Sequence, residues 1–111
     1  MWAPQPGTSV ALAHRVRPLQ DHDRFQPSPD VKASVSGDGL VLLDVSGGLV
    51  LSSNAIGARI WQLLEARHPR GEIARHLAEE YAIPVDRAER DVAGFIAALL
   101  ARGLVAAESR P

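Results

Sequence analysis

Cysteine is absent from the 111-residue sequence. That excludes a disulfide framework, a thiolate metal site and a cysteine nucleophile, and it suits a reducing compartment. Excess charge of one sign is lacking as well. Twelve basic residues stand against thirteen acidic ones, a formal net charge of -1, so no long-range field draws the chain to nucleic acid or to an anionic membrane. A partner must be recognised by shape. No apolar run approaches the ~20 residues that span a bilayer, and Met1 to Gly7 have neither the basic start nor the apolar stretch of a signal peptide. The expectation is a soluble, cytoplasmic protein. Catalytic patterns are missing too: there is no GxSxG elbow, no GxGxxG or GxxxxGK[ST] phosphate loop, and no serine set near a histidine and an acid by motif spacing. Gly47-Gly48 sits where a hairpin needs it. Glu72, His76 and Glu80 share a helical face at four-residue steps, but an exposed salt-bridge row explains them better than a metal does. No enzyme activity, metal or cofactor is expected.

What the sequence does contain is enough apolar residue, 46%, to build one core. Met1 to Pro29 hold most of the prolines and little periodicity and form an arm, in which only Val10, Leu12, His14 and Val16 alternate as a short strand would. Its arginines, Arg15, Arg17 and Arg24, serve solubility. From Val31 the texture changes. Val31, Ala33 and Val35 alternate with polar residues, Ser36 to Gly39 form a turn, Leu40 to Val45 a second strand, Ser46 to Gly48 another turn, and Leu49 to Ser52 a short third strand.

Three helices follow. Asn54 is placed to cap the first, which runs to Ala66 with Ile56, Ile60, Trp61, Leu63 and Leu64 on its apolar face. Pro69 opens the second, with Ile73, Leu77 and Tyr81 toward the core. Asp86 with Glu89 predicts a capping box for the third, whose core residues are Ala88, Val92, Phe95, Ile96, Leu99 and Leu100. Gly103 ends it, Leu104 and Val105 pack beneath, and residues 107–111 fray. The fold class is α+β: a three-stranded antiparallel sheet followed by three helices in a winged-helix-like packing over residues 30–106. The third strand lies at an edge that no Lys, Pro or inward charge protects, so Leu49, Val50, Leu51 and Ser52 offer unpaired main-chain groups to another strand.

These residues carry a resemblance. Gly39-Leu40-Val41-Leu42-Leu43-Asp44, then Asn54 with Gly57, Ile60 and Trp61, then Ile73-Ala74 and Leu77 to Tyr81, and finally Asp91-Val92 with Gly103-Leu104-Val105 resemble, in order and spacing, the PqqD-like domains. These are also called RiPP precursor peptide recognition elements. The resemblance covers about Pro29 to Val105. It implies a non-enzymatic peptide chaperone that binds the leader segment of a ribosomally made precursor peptide and presents it to a modifying enzyme or leader peptidase, in biosynthesis of pyrroloquinoline quinone or another RiPP. The leader adds as a strand beside the third strand, in a cleft walled by the third helix. Strand addition fits the open edge: main-chain bonds give affinity and alternate pockets give selectivity. On the third helix Arg87, Arg90, Asp91, Gly94 and Ala98 would line that cleft, a small-residue floor flanked by guanidinium groups suited to acidic leader residues. The same arginines would otherwise pair with Asp86, Glu89 and Asp91 on a solvated face. The chain departs from the family where Val50 and Leu51 replace a usual aromatic and Ser53 precedes the Asn in place of Leu; both changes fall in the binding strand.

Two further expectations accompany this one. A winged-helix DNA-binding regulator is the alternative, but Asp86, Glu89 and Asp91 on the candidate recognition helix oppose a phosphate backbone. The Val10 to Val16 segment would occupy the open edge in the free chain or exchange between two protomers to form a homodimer.

Overall fold

A computed structural model describes residues 20–108; the Val10 to Val16 segment lies outside them. β2 (Val31–Ser36), β3 (Gly39–Asp44) and β4 (Leu49–Asn54) form an antiparallel sheet in the order β2-β3-β4. Its register pairs Ala33 with Leu42 and Leu42 with Leu51. The first hairpin closes over Gly37-Asp38, where the Ser36 hydroxyl donates to Asp38 Oδ1 at 2.9 Å. At the second, Asp44 accepts from the Ser46 hydroxyl at 2.8 Å and from the Ser46 and Gly47 amides. These bonds, the Ser46 hydroxyl first, hold the Asp44 carboxyl below its ordinary range. Gly48 follows with φ +71°, a left-handed conformation that glycine adopts without a Cβ penalty. β4 is longer than the sequence suggests because it runs on through Ser53 into the cap of the first helix.

That helix, α1 (Ala55–Glu65), begins as expected: the Asn54 side chain accepts from the Gly57 amide at 3.0 Å. It ends where Arg67 turns to φ 72°. α2 (Arg70–Tyr81) has Pro69 at its N-cap, and its first free amides go to the preceding segment: Arg70 N–H donates to Asp23 O at 2.8 Å and Gly71 N–H to Asp21 O at 2.9 Å. α3 (Val85–Ala101) starts two residues before the capping box would place it. Pro84 is the cap and makes no side-chain bond, so Asp86 sits in the first turn, facing the helix dipole instead of capping it. The reason is upstream. Ala82 takes a left-handed conformation to end α2, and Pro84, extended with its own φ fixed by the ring, takes the N-cap position so that α3 begins at Val85. Gly103, φ +71°, closes α3 as expected, with Leu104 N–H donating to Leu99 O.

The core lies between the sheet and the helices. Leu40 and Leu42 from β3 meet Ile60, Trp61 and Leu64 from α1, Ile73 and Leu77 from α2, and Val92, Ile96 and Leu99 from α3. Two expectations shift. Tyr81 is 40% exposed instead of core, because it is the last residue of its helix, and Phe95 is only half-buried, at the margin of a groove. The third shift is the arm. Phe25–Pro27 form β1, which pairs antiparallel with β5 (Val105–Ala107) and buries the Phe25 ring in the core. Ser28 N–H donates to Leu104 O, Glu108 N–H to Arg24 O, and Arg67 pairs with Glu108. The segment thus joins the domain well before Pro29, and Ala107 is in a strand. Among the described residues no helix is long and apolar enough to cross a membrane.

Candidate functional site

β4 has a partner on one side only among the described residues. Its alternation is regular: Leu49, Leu51 and Ser53 turn half-buried toward the helices, while Val50, Ser52 and Asn54 face out, Val50 60% exposed. The ladder fixes which main-chain groups are free. Val45 N–H donates to Asp30 O, so the odd-numbered residues of β3 bond toward β2 and the even-numbered ones toward β4. Leu42 and Leu40 therefore engage Leu51 and Ser53. Val50 and Ser52 are left with N–H and C=O directed to the open edge.

The end of β4 runs into a groove of about 550 Å³ between the start of α1 and the stretch of α3 from Arg87 to Ala98. From α3 it is lined by Arg87, Arg90, Asp91, Gly94 and Ala98, all five positions the sequence puts on that face. At 100° per residue they fall within about 100° of arc, opposite the buried Ala88, Val92, Ile96 and Leu99. Leu49, Val50, Leu51 and Ser52 are not part of its lining. They form the edge leading to it. The remaining lining consists of residues to which the sequence assigns other places: Ser53 in the binding strand, Asn54 as the helix cap, Gly57 in the family motif, and Ile56, Ile60 and Phe95 in the core. The signal was present in the Asn54-x-x-Gly57 spacing, whose glycine has a steric reason. A Cβ there would lie 2.7 Å from Ser53 Cβ and 3.2 Å from Phe95 Cε1, so only glycine lets β4, α1 and α3 converge.

The groove has an apolar depth, where Ile56 and Phe95 pack against the core, and a charged mouth. Among the described residues neither Arg87 nor Arg90 makes an ion pair with Asp86, Glu89 or Asp91; the ion pairs present are elsewhere. The two guanidinium groups are therefore open to a ligand. The Glu72, His76 and Glu80 row is taken up otherwise. Glu80 is gripped by Arg59 at 2.8 and 2.9 Å, Glu72 bonds His68 Nδ1 at 3.0 Å, and His76 sits edge-on to His68. Among the described residues no cluster of three or more His, Cys, Asp or Glu is placed to hold a metal ion.

The family model of coenzyme PQQ synthesis protein D (PqqD) matches residues 39–105. Two solved structures share the fold. TbiB1 in complex with the TbiA(beta) leader peptide is 30% identical, over 77% of this chain and 99% of that one, with a TM-score of 0.69. Lasso peptide synthetase B1 complexed with the leader peptide is 30% identical, over 75% and 98%, with a TM-score of 0.68. A search of the curated proteins finds no match. A family match running from the first residue of β3 to the first of β5, on a fold shared with two leader-peptide complexes, makes this chain a member of the PqqD family.

Proposed function

We propose that the chain is a peptide chaperone: it binds the leader of a ribosomally made precursor peptide and hands it to a modifying enzyme or leader peptidase, without catalysing a reaction itself. The leader adds as a strand at Val50 and Ser52 and continues over the groove, where an acidic side chain meets Arg87 and Arg90 and apolar side chains meet Ile56 and Phe95. The observation that supports this most is a strand edge, open among the described residues, that leads directly into a groove where Arg87 and Arg90 make no ion pair with a described residue. Two structural neighbours solved with leader peptides point the same way. A duplex-binding role is disfavoured by Asp86 and Asp91 on the same helix. The role belongs in the cytoplasm, where precursor peptides are made. The arm segment Val10 to Val16 competes for the same edge, within one chain or across a homodimer.

The test is a titration of the isotopically labelled chain with the TbiA(beta) leader peptide seen in the TbiB1 complex. Val50→Pro removes an edge N–H that bonds nothing in the sheet, so the fold should persist while binding weakens at least tenfold; Val50→Ala should bind as the parent does. Equal binding by a folded Val50→Pro variant would sink the strand-addition mechanism. Removing residues 1–19 should tighten binding or abolish a dimer, and no change in either would rule out the arm as occupant.

A further inference from the structure

Gly94 is out of place by every local criterion. It lies in the middle of the 17-residue α3, and glycine is the poorest helix former after proline. Its φ is not in the left-handed region, so the backbone does not ask for glycine. A Cβ built there would meet no atom within 4 Å. Gly57 and Gly71 differ, since a Cβ on either would collide with a neighbouring side chain; Gly48 and Gly103 differ, since their φ is positive. The fold gives Gly94 no role, yet it lowers the stability of the helix that carries the groove.

Its surroundings supply a role. Gly94 is exposed and lines the groove, with Arg90 and Asp91 one turn before it, Ala98 one turn after it, and Phe95 beside it at the apolar margin. The missing Cβ makes a notch in the α3 wall. We propose that Gly94 is a specificity-determining residue, whose notch admits one large apolar side chain of the bound peptide against Phe95. This inference rests on the peptide-binding reading above. The free protein gives up helix stability for space that only a ligand uses.

The experiment separates the two. A displayed library of random dodecapeptides is panned on the full chain and on Gly94→Ala and Gly94→Leu, with circular dichroism and thermal melting of each protein. For the parent, one peptide position should be enriched in Phe, Tyr, Trp, Leu or Ile. On Gly94→Ala and Gly94→Leu that position should shift to smaller residues, and peptides selected on the parent should bind at least tenfold more weakly. Gly94→Ala should at the same time melt about 4 °C higher or more, since alanine favours the helix and meets no clash. Identical consensus and affinity for parent and variants would overturn the specificity role and leave peptide binding intact. A parent that selects no peptide would overturn the peptide-binding reading and the inference with it.

Discussion

Asn54 ends β4, caps α1 and borders the groove. Its side-chain oxygen accepts from the Gly57 amide, and losing such a cap costs about 1 kcal/mol. Asn54→Ala should therefore lower the urea midpoint with an unchanged m-value, while Asn54→Asp, which can cap equally well, should stay near the parent. A changed m-value for the alanine variant would mean that β4 itself comes apart. The cap was legible in the sequence because it is a local device, a polar acceptor three residues before the amide it satisfies. The need for glycine at position 57 was not. It arises from Ser53 and Phe95, and Phe95 is far along the chain. Helical spacing likewise placed Trp61 correctly in the core and Tyr81 wrongly. Spacing says which side of a helix a residue occupies, and says nothing of whether the neighbouring element still covers it at the helix end.

At the level of elements, the β-meander and three helices were readable from period and punctuation, and β1 with β5 was not. Each has three residues, too few to show an alternation, and β1 is bounded by Pro27 in a stretch that reads as irregular. Their stability comes from pairing with each other across some 80 positions of sequence and from Phe25, which joins the hydrophobic core. The start of the folded unit follows from this. A chain beginning at residue 20 keeps β1 and the carbonyls that accept from the α2 amides. One beginning at residue 30 loses Phe25, a loss of about 3–5 kcal/mol by analogy with truncating a buried phenylalanine, along with those capping bonds. Thermal melting of the two chains decides it: equal midpoints would show that β1 contributes nothing. Gly71 bears on the same contact, because a Cβ there would stand 2.9 Å from Asp21 Cβ.

At the scale of the whole molecule, three carboxyl groups among the described residues are each held below their ordinary range by a hydrogen bond: Asp44 by the Ser46 hydroxyl, Glu72 by His68 and Glu80 by Arg59. The last is a fork in which Arg59 Nε and Nη2 each take one oxygen, joining α1 to α2 and raising the Arg59 pKa in turn. The sequence placed Glu72 and Glu80 in one helical row, but their partners come from α1 and from the α1–α2 connection, which only the packing brings close. Carboxyl pKa values that are lower in the folded chain than in the unfolded one make folding release protons. Their stabilisation is complete above the unfolded values, near pH 4 to 4.5, and is lost as pH falls through the lower folded values. All three groups are at least partly open to solvent, so each contribution is small and salt-screened. Between pH 5 and pH 3 the urea midpoint should therefore decline gradually, and 1 M salt should shrink the part due to the Arg59–Glu80 pair. Glu80→Gln should remove that part of the decline and leave the rest. A Glu80→Gln variant whose midpoint falls with pH as steeply as the parent's would show that the α1–α2 fork does not stabilise the fold, and that the two helices are held by Ile60, Trp61, Ile73 and Leu77 alone.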